Sequence, residues 1–230
     1  VFPNQEIIID VGREKSIRAV EDGRQLFERR VVLVSQRDLT IEDPGMSDLY
    51  GVGTLCEIRH IRRLDGYLRV KFRGVCRCEL QSVSEENGCQ MAGFRVLNDI
   101  RQDELEEVTL VRMIARQFEE MEAVSSHLPK EAIAELANGV SAQQLSDQIA
   151  QMFPFSLEKR QEFLETLGIN DRLTLVLQEI QNEKQLSEIE NKINEKVKER
   201  IEEGQKEYYL REKMRAIKEE LGDVVDTEKD

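Results

Sequence analysis

Val52-Gly53-Thr54-Leu55-Cys56-Glu57-Ile58-Arg59-His60-Ile61-Arg62-Arg63-Leu64, then Asp65-Gly66, then Tyr67-Leu68-Arg69-Val70-Lys71-Phe72-Arg73 is the stretch that decides the fold. In the return arm Leu68, Val70 and Phe72 alternate with Arg69, Lys71 and Arg73, which places apolar and charged side chains on opposite faces of a strand. In the outgoing arm Leu55, Ile58 and Ile61 mix with polar partners. Asp-Gly between two such runs supplies the two-residue turn of an antiparallel hairpin. The return arm runs on through Val75 to Val83.

Around this hairpin, Ile7–Val11, Val31–Val34 and Met91–Leu97 read as further strands. Glu14–Arg29 carries Ile17, Val20 and Phe27 on one side and reads as a helix. Residues 1–100 are therefore expected to form a mainly β unit, a sheet or small barrel with one helix.

The period changes after Asn98–Asp103. Val111, Ile114, Phe118 and Met121 fall three or four apart, as on one face of a helix. A short helix over Lys130–Ala137 follows Pro129 and stops at Asn138-Gly139. Ser141 caps another helix with Leu145, Ile149 and Met152 inward, and Phe153-Pro154-Phe155 breaks the chain. Ser156 caps a fourth with Phe163, Leu164 and Leu167, ending at Gly168. Residues 101–170 thus read as a helical bundle, and 171–222 as one very long helix, an arm of about 75 Å per 50 residues. Its stripe of Leu173, Val176, Leu177, Ile180, Ile189, Ile193, Val197 and Ile201 is too long for one small bundle to cover, as in a coiled coil or an arm meeting another chain. Residues 223–230 are expected as a flexible tail. The fold class is α+β.

The net charge of −13 is unevenly distributed. Residues 1–100 hold 15 Lys/Arg and 16 Asp/Glu, against 18 and 30 in residues 101–230. An acidic field repels a phosphate backbone and disfavours bulk nucleic-acid binding. No run of 18 apolar residues is present, and Val1-Phe2-Pro3-Asn4 lacks the features of a signal peptide, so a cytoplasmic origin is expected, as a fragment of a longer protein. There is no phosphate-loop motif and no nucleophile elbow. His60 and His127 have no Cys or His at ligand spacing. No catalytic residue and no metal or cofactor site is expected within these residues.

Cys76-x-Cys78 is too tight for a zinc knuckle, so Cys56, Cys76, Cys78 and Cys89 read as reduced, partly buried small hydrophobes. Arg59, Arg62, Arg63, Arg69, Lys71, Arg73 and Arg77 gather on the hairpin. They admit two readings: a nucleic-acid patch, or the solvated face of a sheet paired with Glu57, Asp65 and Glu79. Only Tyr67 and Phe72 lie there for base stacking, which favours the second.

Gln205-Lys206-Glu207-Tyr208-Tyr209-Leu210-Arg211-Glu212-Lys213-Met214-Arg215-Ala216-Ile217-Lys218-Glu219-Glu220-Leu221-Gly222 closely resembles the segment before the ATPase module of bacterial-type, ATP-dependent Lon proteases. Val11-Gly12-Arg13-Glu14-Lys15-Ser16, Val52-Gly53-Thr54, and Leu164-Glu165-Thr166 with Asp171-Arg172-Leu173 also fit, so the resemblance covers essentially the whole chain. It implies a β-rich substrate-recognition subdomain, a helical subdomain and a long helix leading to an ATPase ring. It further implies recognition of unfolded, damaged or tagged proteins in cytosolic quality control under stress, and support of a homohexamer. The fragment itself would be non-catalytic, while the whole protein would be an ATP-dependent serine endopeptidase using ATP and magnesium. A pure oligomerisation element and a nucleic-acid-binding module through Arg59–Arg77 are the alternatives.

Unfolded substrates differ from folded ones in exposing apolar surface, and Met and aromatic side chains suit varied partners. The expected substrate-binding residues are therefore Met46, Leu49 and Tyr50 after the Asp43-Pro44-Gly45 turn, Phe153 and Phe155 around Pro154, and Tyr208, Tyr209, Leu210 and Met214 on the arm.

Overall fold

The computed structural model describes residues 1–86, 88–122, 141–153 and 155–226. The expected helix over 130–137 with its Asn138-Gly139 stop, Pro129, His127, Pro154 and the last four residues of the expected tail lie outside the described residues, as does the side chain of Met121. The chain divides into two compact units, Val1–Ile180 and Gln181–Asp230.

In the first unit, β1 (Glu6–Val11), α1 (Glu14–Leu26), β2 (Arg30–Leu33), β3 (Val52–Leu64), β4 (Tyr67–Glu86) and β5 (Cys89–Val96) precede three helices. These are α2 (Glu104–Glu122), α3 (Ala142–Met152) and α4 (Leu157–Glu165). The final helix, α5 (Ile169–Asp226), starts here and runs through the second unit. The sheet is antiparallel in the order β1-β4-β3-β2, with β5 also on β4. The Asp65-Gly66 turn forms as expected, Leu64 facing Tyr67 and Gly66 at φ 85.

β4 is the spine. One edge pairs with β3; the other pairs first with β1 and then, beyond Gly74, with β5. Leu68, Val70 and Phe72 point into a core with Val20 of α1, Cys56 and Ile58, because the alternation leaves them nowhere else apolar to go. At Gly74 the chain start crosses over: Asn4 N–H donates to the Gly74 carbonyl (2.9 Å), and Gly74 N–H donates to that of Gln5 (2.8 Å). A Cβ at Gly74 would stand 2.0 Å from the Phe2 carbonyl oxygen, so only glycine permits this approach. Phe2 thereby enters the second core, made by Ile114, Phe118, Leu145, Ile149, Phe163, Leu173, Val176 and Ile180 of the helices.

Several elements end where capping chemistry dictates. Ser141 and Ser156 accept the N–H groups of Gln144 and Lys159 and start α3 and α4. Three expectations need correction. α1 stops at Leu26, and Phe27 is exposed rather than inward, because Glu28 and Arg29 turn left-handed (φ 50 and 63) to bring Arg29 N–H groups onto the Ile58 and Arg59 carbonyls. α4 stops at Glu165, and Gly168 instead pairs in parallel with Ile100. α5 begins at Ile169 and runs on to Asp226, so residues 223–226 continue the helix instead of starting a tail.

The cysteines are free, with Cys56, Cys78 and Cys89 buried. Burial pushes the Cys56 thiol up to about 12 and Cys78 up to about 11. At pH 8 Cys56 therefore stays almost wholly in the thiol form, and the thiolate is the form that reacts. We expect a thiol reagent at pH 8 to leave Cys56 and Cys78 unmodified until urea is added, when all four react. Immediate modification of Cys56 in the folded protein would contradict this.

Candidate functional site

A groove of about 1030 Å³ opens in the first unit. Its walls come from α1, the end of β1, β2 with the loop after it, the end of β4, and β5. α1 can lie close to β2 because Gly23 faces it: a Cβ there would meet Val31 Cγ1 at 2.5 Å and the Arg30 carbonyl at 2.8 Å. Val32, Val34, Pro44, Leu80, Val83 and Met91 make much of the lining apolar.

Polar contacts hold the rim. Lys15 at the start of α1 reaches Asp43 of the loop (2.9 Å) and Glu85 at the end of β4 (2.8 Å). Arg13 donates to Gln36 Oε1 (3.2 Å), whose own amide donates to the Asp38 and Ile41 carbonyls (both 2.6 Å). Thr40 holds the Asp38 carboxyl below its ordinary range, and Asp48 accepts from Gly45 N–H at 2.9 Å. These contacts give shape to a loop that otherwise has one 3₁₀ turn, Met46–Asp48.

The structure separates the expected site residues. Leu49 lines the groove. Tyr50 lies under the Arg37 guanidinium at 4.5 Å, anchoring the loop, and Met46 is 41% exposed beside it. Phe153 is only 4% exposed and stacks through Phe155 onto Phe163, with ring centroids 5.4 Å apart at each step. That pair is packing for the helical core and offers substrate little surface. Tyr208, Tyr209, Leu210 and Met214 are all more than half exposed, and they belong to the second unit. Sequence reasoning missed Lys15, Val32, Val34, Glu85 and Met91. The signal for the apolar ones was present, since Val31–Val34 is apolar on both faces although β2 is the last strand of the sheet.

The basic hairpin resolves into surface pairs and one buried residue. Arg69 grips Asp10 with two bonds (2.7 and 2.8 Å), Lys71 meets Glu6 (2.7 Å), and Arg59 meets Glu57 (2.9 Å). Glu79 pairs with Arg95 of β5, outside the cluster. Arg77 is not on the surface at all. It is 1% exposed and donates to both oxygens of Asp147 on α3 and to the Leu164 carbonyl (3.1 Å). Arg172 of α5, fully buried, joins Asp99 and donates to Ser146 Oγ (3.1 Å), and Asp99 also lies 3.5 Å from Arg77. Two guanidiniums and two carboxylates thus form a neutral knot between sheet and helices. Burial pushes the Asp147 carboxyl above its ordinary value, against the pull of Arg77 and then Arg172.

Among the described residues no three His, Cys, Asp or Glu side chains are placed to hold a metal, and no helix is long and apolar enough to cross a membrane.

The profile of the substrate-binding domain of ATP-dependent protease La (LON) matches residues 1–182. The chain belongs to the Lon family. It is 37% identical over 225 residues to a Lon protease of Bacillus thuringiensis, covering 97% of this chain and 28% of that protein. It is 34% identical over 227 residues to the Lon protease of Escherichia coli K12, covering 98% of this chain and 29% of that one. The chain therefore spans less than a third of the length of these Lon relatives. The solved N-terminal domain of a Mycobacterium avium complex Lon protease superposes with TM-score 0.60 at 13% identity, covering 79% of this chain and 92% of the other; it shares the fold. The matched Lon domain contains the groove and the buried knot, while most of α5 lies beyond it.

Proposed function

We propose that this chain is the substrate-selecting, non-catalytic part of a cytoplasmic ATP-dependent serine protease, where it receives unfolded, damaged or tagged proteins. The observation that carries the reading is an apolar groove with a fixed rim inside a domain of the Lon substrate-binding family. A groove of this kind distinguishes substrates by the apolar side chains that folded proteins hide. ATP and magnesium would act elsewhere in the longer protein.

The arm gives a second reading, support of a hexamer. Leu186, Ile189, Ile193, Val197 and Ile201 recur three or four residues apart on α5 and are each about half exposed, as in a helix that meets a second copy. Crosslinking an unfolded protein to the chain separates selection from assembly alone.

The arm's aromatic end is proposed to share in substrate handling. In the full-length protease, Tyr209→Ser with Met214→Ser should slow degradation of an unfolded protein severalfold and leave cleavage of a short fluorogenic peptide unchanged. Unaltered protein degradation by an intact oligomer would remove the arm from substrate handling.

A further inference from the structure

We propose that an extended peptide segment fills the groove by adding a strand to the outer edge of β2, with a lysine or arginine of that segment held by Asp43 and Glu85. This rests on the substrate-selecting reading above and names the chemistry of the selected segment.

The edge is open from Val32 onward; at its start the Arg30 N–H donates to the Phe27 carbonyl (2.8 Å) and Gly23 of α1 stands against the Arg30 carbonyl. β2 is the last strand of the sheet, and among the described residues it pairs only with β3; β5, on the opposite wall, pairs only with β4. The groove touches Val31, Val32, Leu33 and Val34 one after another. Successive residues of a strand point to opposite faces, so a cavity that touches all four runs along the strand's edge, where its N–H and C=O groups stand. An uncovered edge is a template for another strand, and side-chain pockets beside it then choose the sequence.

The size suits a chain segment. Pockets for small ligands span about 300–1,000 Å³, and this groove reaches the top of that range while open at the surface. The lined run Val32–Gln36 would pair with about 17 Å of extended chain.

The charge selects a cation. One ammonium, Lys15, serves two carboxylates at once, Asp43 of the loop at 2.9 Å and Glu85 of β4 at 2.8 Å, and Glu42, beside Asp43, adds a carboxylate to the lining. Arg13, also in the lining, is turned onto Gln36 Oε1 at 3.2 Å. A peptide lysine or arginine beside this rim gains a charge-assisted bond, while an acidic residue there meets like charge.

The test uses the 230-residue chain and fluorescence anisotropy with four labelled probes. They are an apolar decapeptide with one central lysine, the same peptide with glutamate, the lysine peptide N-methylated at alternate residues, and an unfolded reduced protein. The lysine peptide should bind about tenfold more tightly than the glutamate one, and N-methylation should weaken it about tenfold, since it removes ladder donors. Asp43→Asn with Glu85→Gln, both exposed, should abolish the lysine preference and keep the sensitivity to N-methylation. Indifference to N-methylation overturns strand addition. Equal binding of lysine and glutamate peptides, or a preference surviving the double variant, overturns the charge assignment. If the unfolded protein binds and no peptide does, the groove proposal falls and substrate selection stands; if neither binds, both fall.

Discussion

Replacing Asp147 by alanine should destabilise the Val1–Ile180 unit by about 3–5 kcal/mol, the range for breaking one partner out of a buried ion pair. The change removes both acceptors of the Arg77 fork and leaves that guanidinium buried with Asp99 at 3.5 Å and one carbonyl. Against a net stability of about 5–15 kcal/mol for a domain, this is a large fraction. The melting temperature should fall by roughly 10 °C, at about 2–4 °C per kcal/mol for a unit of this size. Arg77→Met with Asp147→Leu should recover more than half of the loss, because most of the cost comes from the charge left behind rather than from the bond itself. A loss under 1 kcal/mol in urea titration, or no recovery in the double variant, would show that the knot is not holding the sheet to the helices.

The pH dependence has a definite sign. Burial raises the folded-state value of Asp147 above the unfolded one, so the folded chain binds this proton more tightly. Its contribution to stability therefore rises as pH falls through the window between the two values, opposite to a surface carboxylate such as Asp10, which Arg69 holds below its ordinary value. Asp147→Asn, neutral and of the same shape, should accordingly lose less than Asp147→Ala.

Gly74→Ala should cost about 3–4 kcal/mol. The added methyl cannot be accommodated by a side-chain shift, since what it meets at 2.0 Å is the backbone oxygen of Phe2. The crossing chain must lift, which gives up two backbone hydrogen bonds at about 1 kcal/mol each and part of the burial of Phe2, worth about 1.5–3 kcal/mol. Gly51→Ala is the control: a Cβ there meets nothing within 4 Å, and the change should stay within about 0.5 kcal/mol. Equal behaviour of the two variants in chemical denaturation would show that the crossing does not constrain the fold.

The hairpin was legible because Asp-Gly and period-two alternation are local signals; β3 spans Val52–Leu64 as read. Arg77 was misplaced for an instructive reason. Strict alternation puts it on the solvated face of Arg69, Lys71 and Arg73, but a bulge between Gly74 and Cys76 breaks the period: Arg73 pairs opposite Glu57 and Arg77 opposite Thr54, so Arg77 projects from the other face. Beyond Gly74, α3 and α4 cover it, and no local pattern announces a cover supplied 70 residues later. Phe153 and Phe155 misled in the opposite direction, since a proline between aromatics suggests a loop while the rings stack into a core. The groove escaped notice because it belongs to no single segment. Its rim is one lysine meeting carboxylates 28 and 70 residues away.

Because β4 supplies Leu68, Val70 and Phe72 to one core, and its Gly74 and Arg77 hold the Phe2 crossing and α3 of the other, the β-rich and helical parts share a spine. Neither is a portable module. A recombination event that exchanged residues 1–100 between distant relatives would import Arg77 and Asp99 without their matching Asp147 and Arg172. Descent should therefore have transmitted the two parts together, with the surface of the groove free to diversify while the knot beneath it held.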